Sequence, residues 1–81
     1  MHRERLAAAG RLLFGEQWQT GIARALGPLH PGGAREAIDD RLVRRWAAGE
    51  RDVPEWVEPA VAGLMTRRAE EITAWLRRSR T

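Results

Sequence analysis

Apolar residues recur along most of the chain at the three- and four-residue spacing that lines one face of a helix. Leu6, Ala9 and Leu13 stand at i, i+3 and i+7, with Arg5 and Arg11 elsewhere on the wheel and Gly15 beyond, which predicts a first helix over Arg3–Phe14. Trp18, Ile22, Ala25 and Leu26 share a face of a second helix, residues 17–26. That helix ends at Gly27-Pro28, where the glycine is expected to take a left-handed cap and the proline to forbid continuation. Residues 28–37, Pro-Leu-His-Pro-Gly-Gly-Ala-Arg-Glu-Ala, read as a loop with one helical turn expected at 34–37. Asp39 then offers a capping carboxylate to the amides near Arg41 and Leu42, Asp40 suits the positive end of the helix dipole, and Gly49 closes a third helix over Asp40–Ala48. One turn is expected over 53–58. Pro59 suits the first position of a fourth helix, residues 59–78, whose stripe is Val61, Leu64, Met65, Ala69, Ile72, Trp75 and Leu76. Strand signals are nearly absent, so the predicted fold class is all-α.

Composition narrows the function classes. With 81 residues, one small domain is expected, and a deep active site would compete with the core for the same few side chains. A binding protein is therefore favoured over an enzyme. No cysteine is present, which removes disulfides, thiolate zinc sites and cysteine nucleophiles together. His2 and His30 lie far apart with no supporting ligand spacing, so no metal or other cofactor is implied, and no small-molecule substrate. Glu70 and Glu71, one turn from Arg67 and Arg68, read as partners in surface ion pairs, not as a catalytic dyad. Neither a spanning segment nor a signal peptide is recognisable, and a cytoplasmic location is expected.

Charge changes the picture only locally. The net charge is +3, and all 14 basic residues are arginine, each a planar fork matched to phosphates and guanine edges. Three of them, Arg41, Arg44 and Arg45, interleave with Leu42, Val43 and Trp46 on the third helix. If Val43 and Trp46 face the core, the arginines face outward, where a major groove could receive them. Trp18, Trp46, Trp56 and Trp75 all fall in apolar stripes and are expected to be core or interface anchors.

Two segments together carry a family likeness. Gln19-Thr20-Gly21-Ile22-Ala23-Arg24-Ala25-Leu26-Gly27 and the stretch from Asp39 through Trp46 and Gly49 to Pro54 resemble the helix-turn-helix of the Cro and lambda-repressor type, also called the xenobiotic-response-element type. The likeness covers about half the chain. The chain departs from the family pattern in the inserted residues 28–37, where the family has only a few residues. What the resemblance implies is a lambda-repressor-like bundle with an extended C-terminal helix, reading double-stranded DNA through Asp40, Arg41, Arg44 and Arg45. Gln19 and Thr20 at the start of the second helix resemble the phosphate-contacting positions, and Arg45 or Arg51 is expected nearer phosphate than base. The function implied is that of a small bacterial or phage transcriptional regulator, a repressor. It would act as a homodimer on an inverted repeat, paired through Leu64, Met65, Ile72, Trp75 and Leu76 of the C-terminal helix. The alternative is a protein-interaction module that uses the same Trp and Leu stripe and does not bind DNA.

Overall fold

The structure, a computed structural model, describes residues 1–80. Four helices follow in order: α1 (Arg3–Phe14), α2 (Trp18–Leu26), α3 (Asp40–Ala48) and α4 (Val57–Ser79), with 3₁₀ turns at Gly15–Gln17 and Gly27–Leu29. The described residues contain no strand, and no helix among them is long and apolar enough to cross a membrane.

Each boundary has a local cause. The His2 ring accepts a hydrogen bond from the Glu4 amide at 3.1 Å and opens α1, and Gly15, at φ 76°, ends it in a conformation that a side chain would strain. Gln17 falls in the 3₁₀ turn, so α2 begins one residue later than its pattern predicts. Pro59 is the third residue of α4, not its first. Helix formation starts at Val57, and a proline is tolerated in this first turn because its missing N–H has no intrahelical acceptor there.

The core is one cluster: Leu6, Ala9 and Leu13 from α1, Trp18, Ile22, Ala23 and Leu26 from α2, Val43 and Trp46 from α3, and Val57 and Val61 from α4. Ala23, not Ala25, is the buried alanine of α2. The Trp18 indole occupies the space a side chain on Gly10 of α1 would fill, so the glycine lets the two helices approach closely.

Two expectations about the connection between α2 and α3 are corrected. Gly27 does not adopt a left-handed cap: it is right-handed, at φ −51° and ψ −55°, and the helix tightens into the 3₁₀ turn through Pro28. Nor do residues 34–37 form a helical turn. The chain instead returns alongside the end of α2, with Arg35 N donating to Gly27 O at 3.0 Å and Ile38 N to Ala23 O at 2.9 Å. A Cβ on Gly27 would lie 2.6 Å from the backbone N and Cα of Ala37, so the glycine is required by packing, not by its own dihedral angles.

Helix α4 has 23 residues and is about 34 Å long at 1.5 Å per residue, in a molecule whose principal extents are 48 × 26 × 19 Å. Only its first half touches the body. Val57 and Val61 are buried, Leu64 and Met65 are half-buried against the core, and Arg68 Nη1 donates to Leu13 O at the end of α1 at 3.1 Å. From Ala69 to Arg80 every residue is exposed.

Two glycine substitutions are expected to have opposite effects. Gly27→Ala drives a methyl group into the backbone of Ala37 and destabilises the fold by about 1–3 kcal/mol. Gly63→Ala meets nothing within 4 Å on α4 and stabilises by roughly 0.5–1 kcal/mol. Urea unfolding followed by far-ultraviolet circular dichroism measures both.

Candidate nucleic-acid interface

Helix α3 is closed at both ends. At its start the Asp39 carboxylate accepts the Arg41 amide at 2.9 Å, leaving Asp40 in the first turn beside the positive end of the helix dipole. At its end Gly49 turns left-handed, at φ 78° and ψ 12°. Gly49 N donates to Trp46 O at 3.1 Å and Glu50 N to Arg45 O at 2.9 Å, the paired bonds of a Schellman cap. A distant residue completes the seal: Arg3 Nη1, from α1, donates to Ala48 O at 3.2 Å.

The inner edge of α3 is held by Val43 and Trp46, both fully buried. At 100° per residue this turns Arg41, Arg45 and Ala48 to the opposite side, with Arg44 on the flank, and all four are exposed. Arg44 Nη2 lies 3.4 Å from Asp40 Oδ2 one turn earlier, and Arg41 Nε lies 3.5 Å from Asp39 Oδ1. Exposed pairs of this kind are worth only about 0.3–0.5 kcal/mol. They orient the guanidiniums, and a phosphate or guanine edge can displace the carboxylates at little expense. The Arg41 backbone amide is the main reason why the Asp39 carboxyl is held below its usual value; desolvation opposes it, and the charge and side-chain hydrogen bond of Arg41 and the charge of Arg45 add to the lowering.

The remaining residues singled out from the sequence fall in three places. Gln19 and Thr20 are half-buried in the first turn of α2, whose N-terminus carries no side-chain cap. Arg51 lies past the Gly49 cap, at the other end of α3 from Asp40, and lines an open groove of about 250 Å³ with His2, Arg3 and Asp52. Leu64 and Met65, expected at an interface between copies, pack on the core of their own chain because they sit within the half of α4 that lies on the body. Ile72, Trp75 and Leu76 are 52%, 61% and 44% exposed. Trp75 therefore anchors nothing within the chain, in contrast to the buried Trp18 and Trp46 and the half-buried Trp56.

Arg3 was not found by sequence reasoning. Its partner is 45 positions away, and a single arginine near the start of a helix carries no sign of a role at the end of another. His30 packs its ring edge-on against Trp56, centroids 5.2 Å apart, and its Nδ1 accepts the Gly32 amide at 2.9 Å. No group of three or more potential metal-ligating side chains occurs among the described residues. Glu70 and Glu71 do not reach Arg67 or Arg68, and the ion pairs among the described residues lie elsewhere.

No family model, curated protein or solved structure matches the chain.

The depressed value of Asp39 fixes the sign of a pH effect. A carboxylate favoured in the folded state contributes stability above its unfolded value, and that contribution disappears as pH falls through the folded value. Asp39→Ala accordingly lowers the thermal midpoint at neutral pH, and the difference from the parent narrows as the solution is acidified through the carboxylate range. Thermal unfolding of both proteins across that range checks it.

Proposed function

We propose that this chain is a sequence-specific double-stranded DNA-binding protein of the Cro and lambda-repressor type. It is a small transcriptional repressor that inserts α3 into the major groove and acts as a two-fold dimer on an inverted repeat. The observation that carries the reading is the construction of α3. Its inner edge is locked by Val43 and Trp46, both ends are capped, and the outer face presents Arg41, Arg44 and Arg45. A groove-reading helix needs this rigidity, because hydrogen bonds to base edges discriminate only when the backbone that carries the side chains is already in place.

Roles follow from chemistry. Arg41 or Arg44 forks onto guanine O6 and N7, and Asp40 accepts from cytosine N4, each good pair giving about 1–3 kcal/mol of discrimination. Arg45 or Arg51 contacts phosphate, as do Gln19 and Thr20 together with the free amides at the start of α2. The exposure of Ile72, Trp75 and Leu76 favours a second reading, in which the chain is a protein-interaction module and its basic helix is incidental.

Salt and sequence separate the two. Selection from fragmented genomic DNA is expected to enrich an inverted repeat on the native protein and nothing on the Arg41→Ala, Arg44→Ala, Arg45→Ala triple variant. Affinity for the selected site is expected to fall by about 0.9 log unit per log unit of salt for each phosphate neutralised. Arg44→Ala alone is expected to weaken binding by roughly 5- to 150-fold, the equivalent of one base contact. Absence of enrichment at low salt overturns the DNA reading and leaves the interaction module.

A further inference from the structure

The free half of α4 carries an ordered pattern. At 100° per residue Ala69, Ile72, Trp75, Leu76 and Ser79 fall within a stripe of about 120°, continuous with Met65 on the body. Spacing by three and four places Ile72 and Ser79 at one seam position and Trp75 at the other, as in a coiled coil. Charges are segregated along the same segment: Glu70 and Glu71 stand before the apolar residues, and Arg77, Arg78 and Arg80 after them. The acidic pair has no arginine partner on its own helix among the described residues.

We propose that this face is covered by the same segment of a second copy of the chain, running antiparallel about a two-fold axis between residues 73 and 74. In that register Ile72 lies over Trp75 of the second copy, and Trp75 over its Ile72. Leu76 covers Ala69 of the second copy on one flank. On the other flank Glu71 reaches Arg78 of the second copy, and symmetry repeats each contact. One placement thus covers the apolar stripe and sets Glu71 opposite Arg78 of the second copy. A parallel pair instead stacks Ile72 on Ile72, brings Arg77, Arg78 and Arg80 of both chains to one end, and forces the two bodies side by side. Like charges so placed repel, so the charge order selects the antiparallel pair.

The contact is short. About 11 residues of helix, near 16 Å, cover less than the roughly 800 Å² per partner of a standard interface. Dissociation on the order of micromolar is therefore expected.

This deepens the two-fold part of the functional reading and rests on it, but needs no DNA, and its test is run without any. Sedimentation equilibrium is expected to show a reversible dimer of the full chain that loosens by about tenfold or more in Trp75→Ala. Glu71→Arg and Arg78→Glu each weaken it, and combining them in one chain restores it. All these residues are exposed, and circular dichroism confirms that each variant keeps its helices. Because the chain has no cysteine, Thr66→Cys accepts a single spin label. The antiparallel pair sets its two copies about 22 Å apart along the axis, and a parallel pair leaves only the helix spacing of about 8–10 Å. Three results overturn the proposal: a monomer at concentrations on the order of 1 mM, a dimer indifferent to Trp75→Ala and to the charge variants, or a short label distance. The Arg41, Arg44, Arg45 triple variant is expected to dimerise normally, so loss of DNA binding and loss of pairing are read separately.

Discussion

The burial of Trp46 and Val43 holds the candidate interface in place. Helix α3 has nine residues, fewer than the roughly 12–15 at which an isolated helix is even marginal in water. Its sequence cannot keep it folded, and its charged outer face adds only weak pairs. A buried indole removes on the order of 150–250 Å² from water, worth roughly 4–6 kcal/mol as an upper bound. Each cap contributes about 1 kcal/mol. Burial therefore decides that the helix exists, and the caps decide where it begins and ends. The arginines are then free to serve a ligand, since none of them is needed to hold the helix.

The direction from which α3 enters the core is set upstream. Eleven residues separate the end of α2 at Leu26 from Ile38, and a connection of this length could leave α3 in many positions. The returning segment of the loop removes that freedom by pairing Arg35 with Gly27 and Ile38 with Ala23, so α3 starts from a point fixed on the flank of α2. Gly27 is the pivot, because the returning backbone passes through the space any side chain would fill. The insertion is thus folded onto the scaffold along its second half, while its tip at Pro31, Gly32 and Gly33 is exposed.

What could be read from the chain and what could not divides by the range of the interaction. The limits of α3 were legible to the residue because Asp39 and Gly49 act on neighbours within three or four positions, and the inward edge was legible because Val43 and Trp46 follow the helical period. The all-helical class followed from the same periodicity. Gly27 was legible as a stop but not in its conformation, since its reason for being glycine is the backbone of Ala37, ten positions on. Arg3 at the end of α3 left no trace for the same reason. Along α4 the stripe was continuous in sequence, so nothing marked the point near Arg68 where Met65 and Leu64 stop serving the core and Ile72 and Trp75 begin to face solvent. That boundary depends on where α1 ends, at Leu13 and Phe14, which is a fact of packing.

The free half of α4 has no packing from the body of its own chain among the described residues. Beyond Arg68 the helix gains nothing from the core and yet exposes a tryptophan, an isoleucine and a leucine on one side. A segment meant only for solvent would be stabilised better by charged or small residues there, and a short helical extension frays when no packing offsets the entropy of ordering it. The order of its charges adds a second constraint. Arg77 and Arg78 in the last turn suit the dipole of the helix, and the order of acidic before basic residues becomes complementary when one copy is turned end over end against another. Because the proposed pairing face is separate from α3, substitutions along Ala69 to Ser79 would change association between copies without altering the exposed residues of α3.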